Sequence, residues 1–171
     1  MTTGKVAQDF DSYIAAHGRG LERYAYVLTG QPASAEDLVQ TTLMKVYRRW
    51  RRVSRMEFPD AYVRRTLTTT FLDQHRRRSD TEQPMADVPD TAAGPDPAVA
   101  VAERDQITRA LSCLSAQQRA VIVLRHYLCV DDADIATELG CSETTVRSHA
   151  SRGLQRMRHF LTAVDLQERQ P

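Results

Sequence analysis

The chain has 171 residues, 42% of them hydrophobic but only 6% aromatic, which suits one ordinary domain or two small ones with a mostly aliphatic core. Three cysteines (Cys113, Cys129, Cys141) without CxxC spacing argue against a secreted disulfide scaffold or a zinc finger. No apolar run nears the roughly 18 residues of a membrane span, and the polar start MTTGKVAQDF does not read as a signal peptide, so a cytoplasmic protein without membrane insertion is expected.

The net charge of +1 conceals segregation. Over 41–78, Lys45, Arg48, Arg49, Arg51, Arg52, Arg55, Arg64, Arg65, Arg76, Arg77 and Arg78 face Glu57, Asp60 and Asp73; over 79–106 the excess turns acidic; over 142–160, Arg147, Arg152, Arg156 and Arg158 face Glu143. Two basic blocks joined by an acidic connector suit a polyanionic partner. Pro84, Pro89, Gly94, Pro95 and Pro97 mark the connector, which has too few large apolar side chains to offset its ordering entropy. The expected organisation is a domain over 5–78, a linker over 79–98 and a second domain over 99–165.

In chain order, helices are expected over 10–17 and 21–28, the latter ending at Gly30 and Pro32. Next, Val39, Leu43, Val46, Tyr47 and Trp50 recur every three or four positions in an amphipathic helix; Ser34 is its expected cap, and Tyr47 and Trp50 read as core. A further helix follows Pro59, with Asp60 as cap and Val63, Leu67 and Phe71 as its apolar stripe. In the second block a capping box over Ser115 and Gln118 opens a helical segment that includes VIVL at 121–124. The expected fold class is all-α.

Residues 131–158, DDADIATELGCSETTVRSHASRGLQRMR, carry the most specific pattern. A helix-turn-helix needs a small residue where the helices cross, a residue that tolerates positive φ in the turn, and a branched apolar residue that locks the second helix. Ala136, Gly140 and Val146 meet these needs, with Ile135 and Leu139 as core anchors and Ser142 as cap. Val146, Ala150, Gly153 and Met157 form the inward stripe of the second helix. Thr144, Thr145, Arg147, Ser148, Ser151, Arg152 and Arg156 are left largely outward, a composition suited to phosphates and base edges in a major groove.

AEDLVQTTLMKVYRRW, PDAYVRRTL, DQHRRR, LSCLSAQQRAVIVLRHYL and the helix-turn-helix follow one another in the order found in extracytoplasmic-function sigma factors of the bacterial sigma-70 family. The wording most resembles the actinobacterial SigE-family subgroup and spans about residues 8–160. The resemblance implies a first domain that grips core RNA polymerase, its beta and beta-prime subunits, and reads and melts the −10 element. The second domain would read the −35 element. Polymerase binding then maps onto Ala35, Glu36, Asp37, Leu38, Gln40, Thr41 and Met44. The −10 surface maps onto Arg51, Arg52 and Arg55 in a base-capturing loop and onto Tyr62, Arg65, Thr66, Thr69, Asp73, Arg76 and Arg77 in the following helix. Many relatives have Asn where this chain has Thr68-Thr69-Thr70. Further implied partners are promoter DNA and an anti-sigma factor, with residence on the nucleoid when in holoenzyme.

No P-loop, GxSxG or HExxH is present. His126 and Cys129, three apart, would share a helix face but lack further metal ligands. No enzyme activity, catalytic residue, metal or cofactor is expected. The competing reading is a free-standing LuxR-like regulator, which shares the helix-turn-helix wording but carries a βα receiver or ligand domain instead of a basic helical block.

Overall fold

The computed structural model describes residues 3–81 and 100–168, all helix and connecting turns, with no strand among them. The all-α expectation therefore holds. The chain divides into two units, Met1–Gln74 and His75–Pro171. Most of the acidic connector, 82–98, lies outside the described residues; its first three residues, Ser79, Asp80 and Thr81, close a helix instead of opening a linker.

The first unit is built on α1 (Thr3–Thr29), α2 (Pro32–Tyr47), the single turn α3 (Trp50–Val53) and α4 (Pro59–Thr81) as far as Gln74. Where two helices were expected before Gly30, α1 is continuous: Gly18 and Gly20 keep negative φ and cost helix propensity without breaking it. The break comes at Gly30, whose φ of 73° puts it in the left-handed region that glycine alone enters freely. Pro32 then fills the first turn of α2, where a missing N–H costs nothing. The N-cap is accordingly Gln31, and Ser34 sits inside the turn with its hydroxyl near Gln31 Oε1. Pro59 displaces the cap of α4 in the same way. Asp60 falls in the first turn, where it accepts a hydrogen bond from the Tyr13 hydroxyl (2.8 Å) across the unit and pairs with His17.

Tyr24, Leu28, Leu38, Val46, Trp50, Val53, Val63, Leu67 and Phe71 are buried in this unit. Trp50 is core as expected, packed edge-on by Phe10 with ring centroids 5.1 Å apart. Tyr47 is not: it is 49% exposed, with its ring edge-on to Phe10. Its position at the last residue of α2 turns the ring out past the edge of the stripe. Inside the core, the Tyr24 and Thr68 hydroxyls meet at 2.7 Å, tying α1 to α4.

The second unit runs α5 (Ala100–Ser112), α6 (Ala116–Ile122), a π-helical turn over Val123–Tyr127, α7 (Asp132–Leu139) and α8 (Glu143–Glu168). The capping box at Ser115 and Gln118 is complete. Buried Arg119 donates to the carbonyls of Ser112 and Leu114, satisfying backbone groups at the end of α5. The π-turn ends at Tyr127 and the chain leaves it through Cys129 at φ 54°. Cys129 therefore stands outside any helix, and the shared face with His126 does not form. Val121, Val123, Leu124, Ile135, Val146 and Ala150 make the core. Helix α8 crosses α6 at Gly153, where a Cβ would lie 3.0 Å from Ile122 Cγ1.

Candidate nucleic-acid interface

The helix-turn-helix geometry follows from three local events. Asp131 caps α7 by accepting from the Asp134 amide at 2.8 Å. Gly140 ends α7 in the left-handed region with φ 66° and ψ 38°, the usual exit for a glycine-terminated helix. Ser142 then caps α8, its Oγ accepting from the Thr145 amide at 3.1 Å. Ala136, Val146, Ala150 and Gly153 are buried, so α7 and α8 lock through the residues expected.

On the outward side of α8, Thr144, Arg147, Ser151 and Arg152 are exposed and Thr145 and Ser148 are half-buried. Thr144, Ser148, Ser151 and Arg152 share the face opposite the Val146–Ala150 stripe, following the helical period. Arg147 and Arg156 lie on opposite flanks of it, nine residues and hence about half a turn apart in azimuth. The Arg156 flank is a shallow hollow shared with Cys113, Gln155, His159 and Phe160. The Arg147 flank faces α7: its Nη2 donates to Glu143 at 2.9 Å and its Nε lies 3.7 Å from Asp132 Oδ2. Asp132 in turn lies 3.3 Å from Arg125 Nε. Asp132 and Arg125 escaped sequence reasoning because their pairing is set by the turn between elements and leaves no spacing signal.

In the first unit, Arg51, Arg52 and Arg55 are exposed and, with Met56, line an open depression beside α3. Residues 62, 65, 66, 69, 73, 76 and 77 run down one side of α4, as rows spaced three and four apart. Of these, Arg65, Arg76 and Arg77 are exposed, whereas Tyr62, Thr66, Thr69 and Asp73 are half-buried. Tyr62 packs on the Trp50–Val63 cluster and receives a long contact from Arg49 Nη1 at 3.5 Å. The Thr66 and Thr69 hydroxyls donate to the Tyr62 and Arg65 carbonyls, both at 2.8 Å. Thr68 and Thr70 are buried, the latter accepting from Lys45 Nζ at 2.9 Å. Phe58, 68% exposed just before α4, is a further apolar group on this side that the helical period could not flag.

Helix α2 presents Glu36, Asp37, Gln40 and Met44 outward, Met44 at 59% exposure, with Gln40 Nε2 donating to Glu36 Oε1. Thr41 is half-buried. Ala35 and Leu38, expected on the same docking face, are buried at 6% and 0% and belong to the core stripe. Among the described residues no group of His, Cys, Asp and Glu could hold a metal, and no helix is long and apolar enough to cross a membrane.

Residues 13–81 match the family description Sigma-70 region 2, and residues 104–157 match Sigma-70, region 4. The chain is 35% identical over 169 residues to the RNA polymerase sigma-E factor of Streptomyces avermitilis, covering 99% of this chain and 93% of that protein. It is 34% identical over 161 residues to the Streptomyces coelicolor sigma-E factor, covering 94% and 90%. Among solved structures, the sigma factor RpoE of Bartonella quintana, crystallised with the anti-sigma factor NepR, superposes with a TM-score of 0.67 at 29% identity over 91% of this chain and 98% of that one.

Proposed function

This chain belongs to the sigma-70 family as an RNA polymerase sigma factor of the extracytoplasmic-function group, and from that premise we propose how its surfaces divide the work. As a sigma factor it binds core RNA polymerase and promoter DNA and directs initiation. Sigma factors are not enzymes; in this reading the polymerase does all the chemistry, in the cytoplasm and on the nucleoid, and this chain needs no cofactor.

The segment 99–165 acts as the −35 reader, with α8 in the major groove. One observation carries this most directly: α8 starts from the Gly140 turn with its amide end capped by Ser142, buries Val146 and Ala150, and exposes Thr144, Arg147, Ser151 and Arg152. A recognition helix uses its N-terminal turns to reach base edges, so Arg156 contributes through phosphate contact at the far flank. The segment 5–78 acts as the polymerase-binding and −10 domain. Glu36, Asp37, Gln40 and Met44 form the docking face, with Ala35 and Leu38 supporting it from the core. Arg51, Arg52, Arg55, Arg65, Arg76 and Arg77 hold single-strand phosphates while Thr66 and Thr69 line the strand. The connector 79–98 threads the enzyme, its carboxylates meeting a basic channel. An anti-sigma factor regulates the protein, in keeping with the Bartonella relative.

The test is run-off transcription with purified core polymerase on a genomic fragment library, with and without the protein. New start sites that depend on the protein are expected. Their absence, with no stable holoenzyme on gel filtration, would overturn the reading. A free-standing regulator would instead bind promoter fragments without polymerase and add no start sites.

A further inference from the structure

The contacts around Arg147 point to a role for a residue no DNA contact would require. Asp132 is the first residue of α7, 18% exposed at its side chain, and lies between two guanidinium groups from different elements: Arg125 in the π-turn and Arg147 in α8. It is not the helix cap, because Asp131 holds that position. Its Oδ1 is buried and accepts no hydrogen bond; it meets Arg125 Nε as a charge contact at 3.3 Å. A carboxylate so little exposed is retained at a desolvation cost that only its cationic neighbours offset.

The pattern of nitrogens matters. Arg147 meets Asp132 through Nε and Glu143 through Nη2. Glu143 accepts one charge-assisted hydrogen bond from Nη2, and Asp132 adds a charge contact beside Nε. Among the described residues, neither carboxylate engages Nη1. The remaining donors of Arg147 are the kind that match guanine O6 and N7. Two carboxylates beside the guanidinium narrow the positions it samples, reducing the rotamer freedom that a long side chain loses on binding.

We infer that Asp132 is a positioning residue for −35 readout: it clamps Arg147 beside its Nε, and through Arg125 anchors that clamp to the element before the helix-turn-helix, so that the remaining donors of Arg147 address one base pair. The inference rests on α8 being the −35 reading helix. It predicts that removing the Asp132 charge relaxes base discrimination at one promoter position while most of the binding strength remains, since the phosphate contacts are untouched.

The experiment uses the full-length protein reconstituted with core polymerase. Initiation is measured on a promoter found by the run-off screen and on versions with each −35 base pair replaced in turn. The unaltered protein is compared with Arg147→Ala, Arg152→Ala, Asp132→Asn, Asp132→Glu and the double variant that combines Arg147→Ala with Asp132→Asn. Arg147→Ala should lose about 5- to 100-fold discrimination at one −35 position. Asp132→Asn should lose about 3- to 10-fold at the same position, and Asp132→Glu should retain most of it. In the Arg147→Ala background, Asp132→Asn should have no further effect on that ratio. A loss of stability alone would depress every promoter equally in both backgrounds, leave the ratio intact and overturn the inference. Unchanged discrimination in Arg147→Ala would remove Arg147 as a base reader and overturn the inference with it, while loss of −35 discrimination in Arg152→Ala would keep the assignment of α8. Loss with Arg147→Ala but not with Asp132→Asn would overturn the clamp alone.

Discussion

The Thr68-Thr69-Thr70 run shows how one residue type takes three roles on consecutive positions. Thr68 is buried and meets Tyr24, Thr70 is buried and takes the Lys45 ammonium, and only Thr69 looks outward, half-buried. In sequence the three read as one polar patch in place of the family's Asn; the fold leaves one hydroxyl at the surface, already committed to the Arg65 carbonyl. Tyr13 gives a residue-scale prediction. Burial first, then its hydrogen bond to Asp60 and the charge of that carboxylate, hold the Tyr13 phenol well above its ordinary value. The folded protein then keeps a proton that the unfolded chain releases above about pH 10, so this contribution is full below that pH and is lost as pH rises beyond it. Urea midpoints measured at about pH 9 and about pH 11 should therefore fall less in Tyr13→Phe than in the unaltered protein.

At the scale of elements, two helical glycines should answer substitution in opposite senses. A Cβ added at Gly20, in the interior of α1, would meet nothing within 4 Å. Gly20→Ala should stabilise by about 0.5–1 kcal/mol through helix propensity, read as a higher melting temperature. Gly153 sits against Ile122, and Gly153→Leu should cost about 1–3 kcal/mol or more by overpacking the α6–α8 crossing. A calorimetric melt checks both. The sequence made such crossings readable where a periodic stripe was strong: α2, α4, the capping box at Ser115 and the whole α7–α8 turn follow from apolar spacing, Ser and Gly. It misled where proline at a first helical position displaced the cap to Gln31, and where Gly18 and Gly20 suggested a break that α1 does not make. The π-turn and the Asp132–Arg147 contact had no local signature, because each depends on partners brought in by the fold.

Across the whole molecule, near-neutral net charge coexists with surfaces of opposite purpose. In the proposed reading the α2 face with Asp37 serves a protein partner, while the arginines of α3, α4 and α8 serve nucleic acid. Asp37→Arg should therefore lower co-purification with core polymerase about tenfold if the carboxylate makes one charge-assisted contact, a loss of about 1.4 kcal/mol. The fold should survive, because Asp37 is exposed. The arginines should show themselves through ionic strength. Replacing Arg51, Arg52 and Arg55 together by Ala should flatten the dependence of open-complex formation on salt, each lost single-strand phosphate contact lowering the log–log slope by about 0.7. An unchanged slope would remove this trio from the DNA path. At this scale the sequence was most informative, since the basic–acidic–basic alternation needs no tertiary detail; which of the α2 residues face outward needed the fold, and Ala35 and Leu38 proved to be core.

The close crossing at Gly153 acts as a fulcrum for α8. Because that helix runs unbroken from Glu143 to Glu168, a rod of roughly 39 Å at 1.5 Å per residue, any shift at the pivot swings its N-terminal end as a lever. With α8 as the proposed reading helix, a bulkier or smaller neighbour at Ile122 would re-aim Thr144, Ser148 and Arg152 together, so that promoter preference would drift by repacking the hinge while every side chain proposed for the groove stays the same.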